Sequence, residues 1–143
     1  MREDRRVGSQ RAPEDLADLI CAELDPVMTA NGFLAGQSGV GEKIGIVYCA
    51  PHDEFRQRFP DLAPTIQYGD EGACTDLNIQ AGFGADARLE DIRFDGVTLE
   101  DLLAGEETGD ANEAHAIMSL PAHTGVTRLR SLLDELFTRH NAT

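Results

Sequence analysis

Cys49 and His52 stand three residues apart, and Cys74 and His123 add a second thiol and a second imidazole elsewhere in the chain. Thiolate and imidazole are the donors of a tetrahedral zinc site, which usually draws them from two close-spaced pairs. Only Cys49-x-x-His52 is close-spaced here, and Cys74 and His123 are isolated. No metal site is therefore expected, and Cys49 and Cys74 read as small buried hydrophobes on strands. Cys49 and His52, with Asp53 and Glu54 beside them, are also the residue types of a thiol nucleophile, its base and an orienting acid. That chemistry needs a solvent-reachable thiol touching the imidazole. Pro51 intervenes and nothing else suggests an oxyanion site, so a buried Cys49 and a surface His52 are the simpler expectation.

The passage Gly36-Gln-Ser-Gly-Val-Gly-Glu-Lys43 imitates a phosphate-binding loop. The authentic loop is Gly, four residues, then Gly-Lys-Ser/Thr, so that backbone amides wrap phosphates and the hydroxyl holds magnesium. Glu42 separates Gly41 from Lys43, Ile44 replaces the hydroxyl, and a helix rather than a strand precedes the passage. A hairpin connection is expected there and no cofactor. Carboxylates are too abundant for any two to signal an acid–base couple. Glu90, Asp91, Asp95, Glu100 and Asp101 read as a solvated face, and His115 and His140 carry no special context. No catalytic residue is assigned.

The most suggestive polar residues lie on alternating segments. In Cys74-Thr-Asp-Leu-Asn-Ile-Gln-Ala81, Leu77, Ile79 and Ala81 point one way while Asp76, Asn78 and Gln80 point the other. Gly82 to Ala87 reads as a hairpin loop. Arg88 to Asp95 then repeats the alternation, with Ile92 and Phe94 inward and Asp91, Arg93 and Asp95 outward. Strands apolar on one side only belong to an antiparallel sheet that is wet on its other face. Asp76, Asn78, Gln80, Asp91 and Arg93 are the candidate residues for a polar ligand or partner segment. An ordinary solvated face is the bland alternative.

These strands need a roof. Pro13, Glu14 and Asp15 suit a helix start, and Leu16, Leu19, Ile20, Leu24, Val27 and Met28 form one stripe that ends at Asn31-Gly32. Pro26 lies inside the stripe, which stays in phase across it, so a kink is favoured over a split. The last helix is expected from about Thr124 to Arg139, with Val126, Leu129, Leu132, Leu133, Leu136 and Phe137 as its apolar stripe. Between them, Lys43 to Ala50 reads as a central strand, apolar on both faces, and His52 to Phe59 as a short helix pairing Phe55 with Phe59. Pro60 to Gly72 reads as a long connection. Thr98 and Asp101 can cap a short helix stopped by Gly105, Glu106 to Asn112 is acidic loop, and Ala114 to Leu120 fits strand or helix equally. The expected fold class is α+β: an antiparallel β-sheet with the N- and C-terminal helices packed on one face. Residues 1–11 form a flexible tail and 12–143 a single domain.

Composition narrows the roles. At 143 residues with 41% hydrophobic and 27% charged residues, the chain is globular rather than disordered. Twelve basic residues against 26 acidic give −14, and Asp70 to Glu113 alone carries 13 acidic residues against Arg88 and Arg93. Such a surface repels phosphate backbones and anionic lipid, so no nucleic acid and no membrane are expected as partners. It suits solubility, or docking of a basic partner. Residues 1–11 have no apolar core for a secretion signal, and three cysteines cannot all pair within one chain, so reduced thiols in a cytoplasm are expected. Asn141-Ala142-Thr143 would matter as a glycosylation acceptor only in an exported chain. One Lys against eleven Arg hints at a GC-rich bacterial genome.

In size, acidity and helix–strands–helix order the chain resembles the secretion-chaperone type of α+β domain. The resemblance implies a non-catalytic, adaptor- or chaperone-like role toward a protein with a basic surface. Since many such proteins pair through a helix or sheet edge, it also makes a homodimer an option. A toxin-neutralising partner is a variant of the same reading. The rival class is a small-ligand or metal-binding protein, or a small enzyme, with its site near Cys49, His52 and the polar sheet face.

Overall fold

The computed structural model describes residues 13–62, 74–84, 86–105 and 112–141. The expected tail, most of the connection from Pro60 to Gly72 and most of the acidic loop from Glu106 to Asn112 lie outside the described residues.

Alternation makes the sheet. Strands β1 (Gln37–Val40), β2 (Ile44–Pro51), β3 (Cys74–Ala81), β4 (Leu89–Phe94) and β5 (Val97–Thr98) pair antiparallel in simple chain order. In β2 the residues Ile44, Ile46, Tyr48 and Ala50 are buried, as are Leu77, Ile79 and Ala81 in β3 and Leu89, Ile92 and Phe94 in β4. A register slip of one residue would move each set to the wet face, so burial fixes the pairing. The pairing shifts between Gln80 and Ala81, where β3 runs into its hairpin with β4. Asp95 and Gly96 close the β4–β5 hairpin with φ of 51° and 87°, the left-handed pair that a two-residue turn demands and that Asp-Gly supplies.

Helix α1 (Pro13–Ala30) and helix α5 (Ala122–His140) lie against each other and roof the buried side of the sheet. Between them come α2 (His52–Arg58), α3 (Leu99–Ala104) and α4 (Asn112–Ser119). Every helix sends residues into one core that also holds the inward strand residues: Ile20 and Leu24, Phe55, Leu102, Ile117, Leu133. The densest part is aromatic. Phe33, Phe55, Phe59, Phe94 and Phe137 form a cluster of ring pairs with centroids 5.1–6.1 Å apart. Burying each such side chain contributes about 2–3 kcal/mol before entropy is counted. Thr98 caps α3 by accepting from the Asp101 amide at 3.2 Å.

Helix α1 continues past Pro26. The proline denies a donor to the Ala22 carbonyl, and both residues are exposed, so water can satisfy that carbonyl. Three local readings change. The strand containing Val47 and Cys49 lies between β1 and β3 as expected, yet is buried on one face only, because all the helices sit on the same side. The Gly36–Gly41 passage is more than a hairpin connection, since Gln37–Val40 pairs with β2 as the edge strand β1. The ambiguous Ala114–Leu120 segment is helical.

Candidate functional site

The open face of the sheet brings together Asp76, Asn78, Gln80, Asp91 and Arg93, whereas Asp95, also expected to point outward from a strand, lies beyond the end of β4 in the hairpin turn. Asn78 pairs with Arg93 and Gln80 with Asp91 across β3 and β4, while Val47 and Cys49 of β2 lie beside Asn78 and Asp76. Cross-strand rows therefore run Val47–Asn78–Arg93 and Gly45–Gln80–Asp91, with Cys49–Asp76 next to them. Asn78, Gln80 and Arg93 are exposed, whereas Asp76 and Asp91 are half-buried. Arg93 donates through Nε to both carboxylate oxygens of Asp91, at 3.1 and 3.0 Å, two residues along the same side of β4. Lys43 pairs with Glu90 above Gly82, where a Cβ would sit 2.6 Å from a Glu90 carboxylate oxygen; glycine leaves the room that this contact uses. Both cations are thus held by acids. Burial pushes the Asp76 carboxyl above its usual range, only partly offset by a backbone hydrogen bond.

The open face ends in a cavity of about 360 Å³ at the β2–α2 junction, bordered by Leu34, Cys49, Pro51, His52, Asp53 and Cys74. His52 shares a 2.7 Å hydrogen bond through Nδ1 with the hydroxyl of the fully buried Thr75, which fixes the ring on β3. Cys49 and Cys74 are not the buried strand hydrophobes expected from their neighbours. Cys49 is half-buried, Cys74 is exposed, and both lie on the uncovered side. Their strands carry them there by the same period of two that buries Tyr48 and Thr75. Burial, the neighbouring Cys74 thiol and the charge of Asp76 push the Cys49 thiol up to about 11. An activated nucleophile needs the opposite shift. Among the described residues, no group of three or more His, Cys, Asp and Glu side chains could hold a metal ion. His123 is exposed in the first turn of α5.

The phosphate-loop imitation resolves into structure. The Gly36 amide donates to Asp25 Oδ1 at 3.2 Å, and Gln37 to Val40 are committed to β1. The same carboxylate accepts the buried Tyr48 hydroxyl at 2.6 Å, and Gly36 is required because a Cβ there would press on the Tyr48 ring at 2.7 Å. These contacts tie α1 to β2. At the sheet's edge, β1 is exposed on both faces and uncharged, with Leu34 and Val40 exposed beside its backbone. No helix among the described residues is long and apolar enough to cross a membrane.

Sequence reading left Val47 out of this surface and, although it set Cys49 near the polar face in the rival reading, expected Cys49 and Cys74 to be buried. Period two in β2 could have placed Val47 and Cys49. No protein-family model, curated protein or solved structure matches the chain.

Proposed function

We propose that this protein is a non-catalytic, adaptor- or chaperone-like module that receives a partner protein with a basic surface on the open face of its sheet. The observation that carries the reading is the one-sided roof: the helices serve one core, leaving Asp76, Asn78, Gln80, Asp91 and Arg93 together on an uncovered plane. Amides and carboxylates there offer both donors and acceptors to an approaching chain. The choice of a basic partner rests on charge. Arg93 and Lys43 are already neutralised by Asp91 and Glu90, Asp76 adds further acid, and the chain as a whole stands at −14. Such a field accelerates encounter with a cationic surface and makes association sensitive to salt. A cytoplasmic location belongs to the same proposal; a second copy of the chain is the rival occupant of the face.

The test compares proteins captured from lysate by the wild-type chain and by the double variant Asn78→Arg, Asp91→Arg. The expected result is one protein with a basic surface that the wild type retains at low salt, releases at high salt, and that the variant fails to hold. Equal recovery by both chains, or dimerisation of the wild type through this face, would overturn the reading.

A second reading has the cavity in its favour: a small ligand bound between Leu34, Cys49, His52 and Cys74. Elemental analysis of the purified protein and a thiol-reactivity profile test it. A stoichiometric metal, or one thiol of altered reactivity protected by a small molecule, supports it; ordinary thiols and no metal count against it.

A further inference from the structure

The two thiols of the open face meet by register, although the helix α2 and a long connection separate them in the chain. Cys49 pairs laterally with Asp76, and the carbonyls of these two residues point away from each other: that of Cys49 accepts from the Leu34 amide at 2.9 Å, that of Asp76 from the Asp95 amide at 2.6 Å. They therefore form a non-hydrogen-bonded pair, the kind whose side chains stand closest in an antiparallel ladder. Cys74 lies two residues along β3 from Asp76, the diagonal neighbour of Cys49 on the same face, within reach of longer side chains. The two thiols border the same cavity, and Cys74 is near enough to help raise the Cys49 thiol. Neither is bridged at present.

We propose that Cys49 and Cys74 are a reversible oxidation site, closing to a disulfide across β2 and β3 by exchange with a low-molecular-weight disulfide of the glutathione type. Cys74 is exposed and attacks first. Its thiolate bonds to one sulfur of the small disulfide, whose S–S bond breaks, and the displaced thiolate takes up the proton that Cys74 lost. Cys49 then gives its proton to solvent and attacks the Cys74 sulfur; that mixed S–S bond breaks and a second small thiol departs. Two protein thiols are oxidised and one small disulfide is reduced to two thiols, with no other reactant. Disulfide geometry calls for Cα atoms closer than a relaxed diagonal pair, so closure draws Cys74 toward β2. Cys74 is the first residue of β3, at the end of the β2–β3 ladder. Cys21 is on α1 at the roof of the sheet and takes no part.

The test is a non-reducing peptide map of the full chain after incubation with oxidised glutathione, together with a count of free thiols. The expected product is a Cys49–Cys74 linked peptide, with one of the three thiols remaining and all three restored by dithiothreitol. Cys49→Ser should stop at a persistent glutathione adduct on Cys74, and Cys74→Ser should lose the reaction. Circular dichroism of both variants checks that the sheet is intact, and the wild-type map stands without them. A persistent adduct on wild-type Cys74, a Cys74–Cys74 link between two chains, or three unmodified thiols would each overturn the proposal. None of these outcomes depends on whether a partner occupies the sheet face.

Discussion

Tyr48 and Cys49 are consecutive in β2 and meet opposite surroundings. Tyr48 points under the helices, fully buried, and its hydroxyl is held by Asp25 of α1. Cys49 points to the uncovered side, among Asp76, Cys74 and the cavity. The same contrast runs the length of the sheet: Leu77, Ile79 and Ala81 serve the core while Asp76, Asn78 and Gln80 serve nothing within the described residues that burial would require. One face is constrained by packing and the other is not, and substitutions should separate the two.

The largest expected effect is in the aromatic cluster. Phe137→Ala removes a ring that touches Phe33, Phe59 and Phe94 and should cost about 3–5 kcal/mol. That is a large fraction of a typical domain's stability, about 5–15 kcal/mol. Asn78→Ala on the opposite face should stay within about 0.5 kcal/mol. Urea denaturation of the two variants checks the contrast, and equal losses would erase it.

Tyr48→Phe should cost about 1.5–3 kcal/mol at neutral pH, the range for a hydrogen bond to a charged group. Burial foremost, and then the Asp25 carboxylate, raise the Tyr48 phenol above its usual range. The folded state thus favours the protonated phenol, and this stabilisation is complete below the ordinary tyrosine pKa and lost as pH rises beyond it. Wild-type stability should therefore fall more steeply than that of Tyr48→Phe on the alkaline side. Thermal unfolding across that pH range reads the difference.

The smallest effect has the opposite sign. Asp76 has its carboxyl raised chiefly by burial, so its charged form is a cost to the folded state above the carboxylate range. Asp76→Asn should slightly stabilise the protein at neutral pH, and the gain should vanish as pH falls below the ordinary carboxylate pKa. A residue whose removal stabilises is one that folding does not require. A loss of stability in Asp76→Asn would instead place this carboxylate among the structural contacts.

How much of this could be read in advance follows from what burial writes into a sequence. The roof was legible, because α1 and α5 each bury a stripe that repeats along 18 and 19 residues. So were β3 and β4, whose one-sided burial leaves period two in Leu77-Asn78-Ile79-Gln80-Ala81 and in Ile92-Arg93-Phe94. Strand β1 left no such trace: all four of its residues are exposed, so nothing selects an alternating pattern. Strand β5 has two residues and was not expected; the Asp95-Gly96 dipeptide is the signal that could have placed it. Helix α4 buries Ala114 and Ile117 alone, too few to fix a period. The polar face was legible as five residues on two strands. Its rows were not, because the β3–β4 register depends on the shift beside Ala81, and the meeting of Cys49 with Cys74 depends on how β2 and β3 align across an intervening helix.

The one-sided roof is tested most directly by thiol labelling in a background with Cys21, Cys49 and Cys74 replaced by Ser. Asn78→Cys and Gln80→Cys should react with a maleimide as fast as a thiol in an unfolded peptide, while Ile79→Cys between them should react only at the rate of global unfolding. Protection of positions 78 and 80, or rapid labelling at 79, would contradict it.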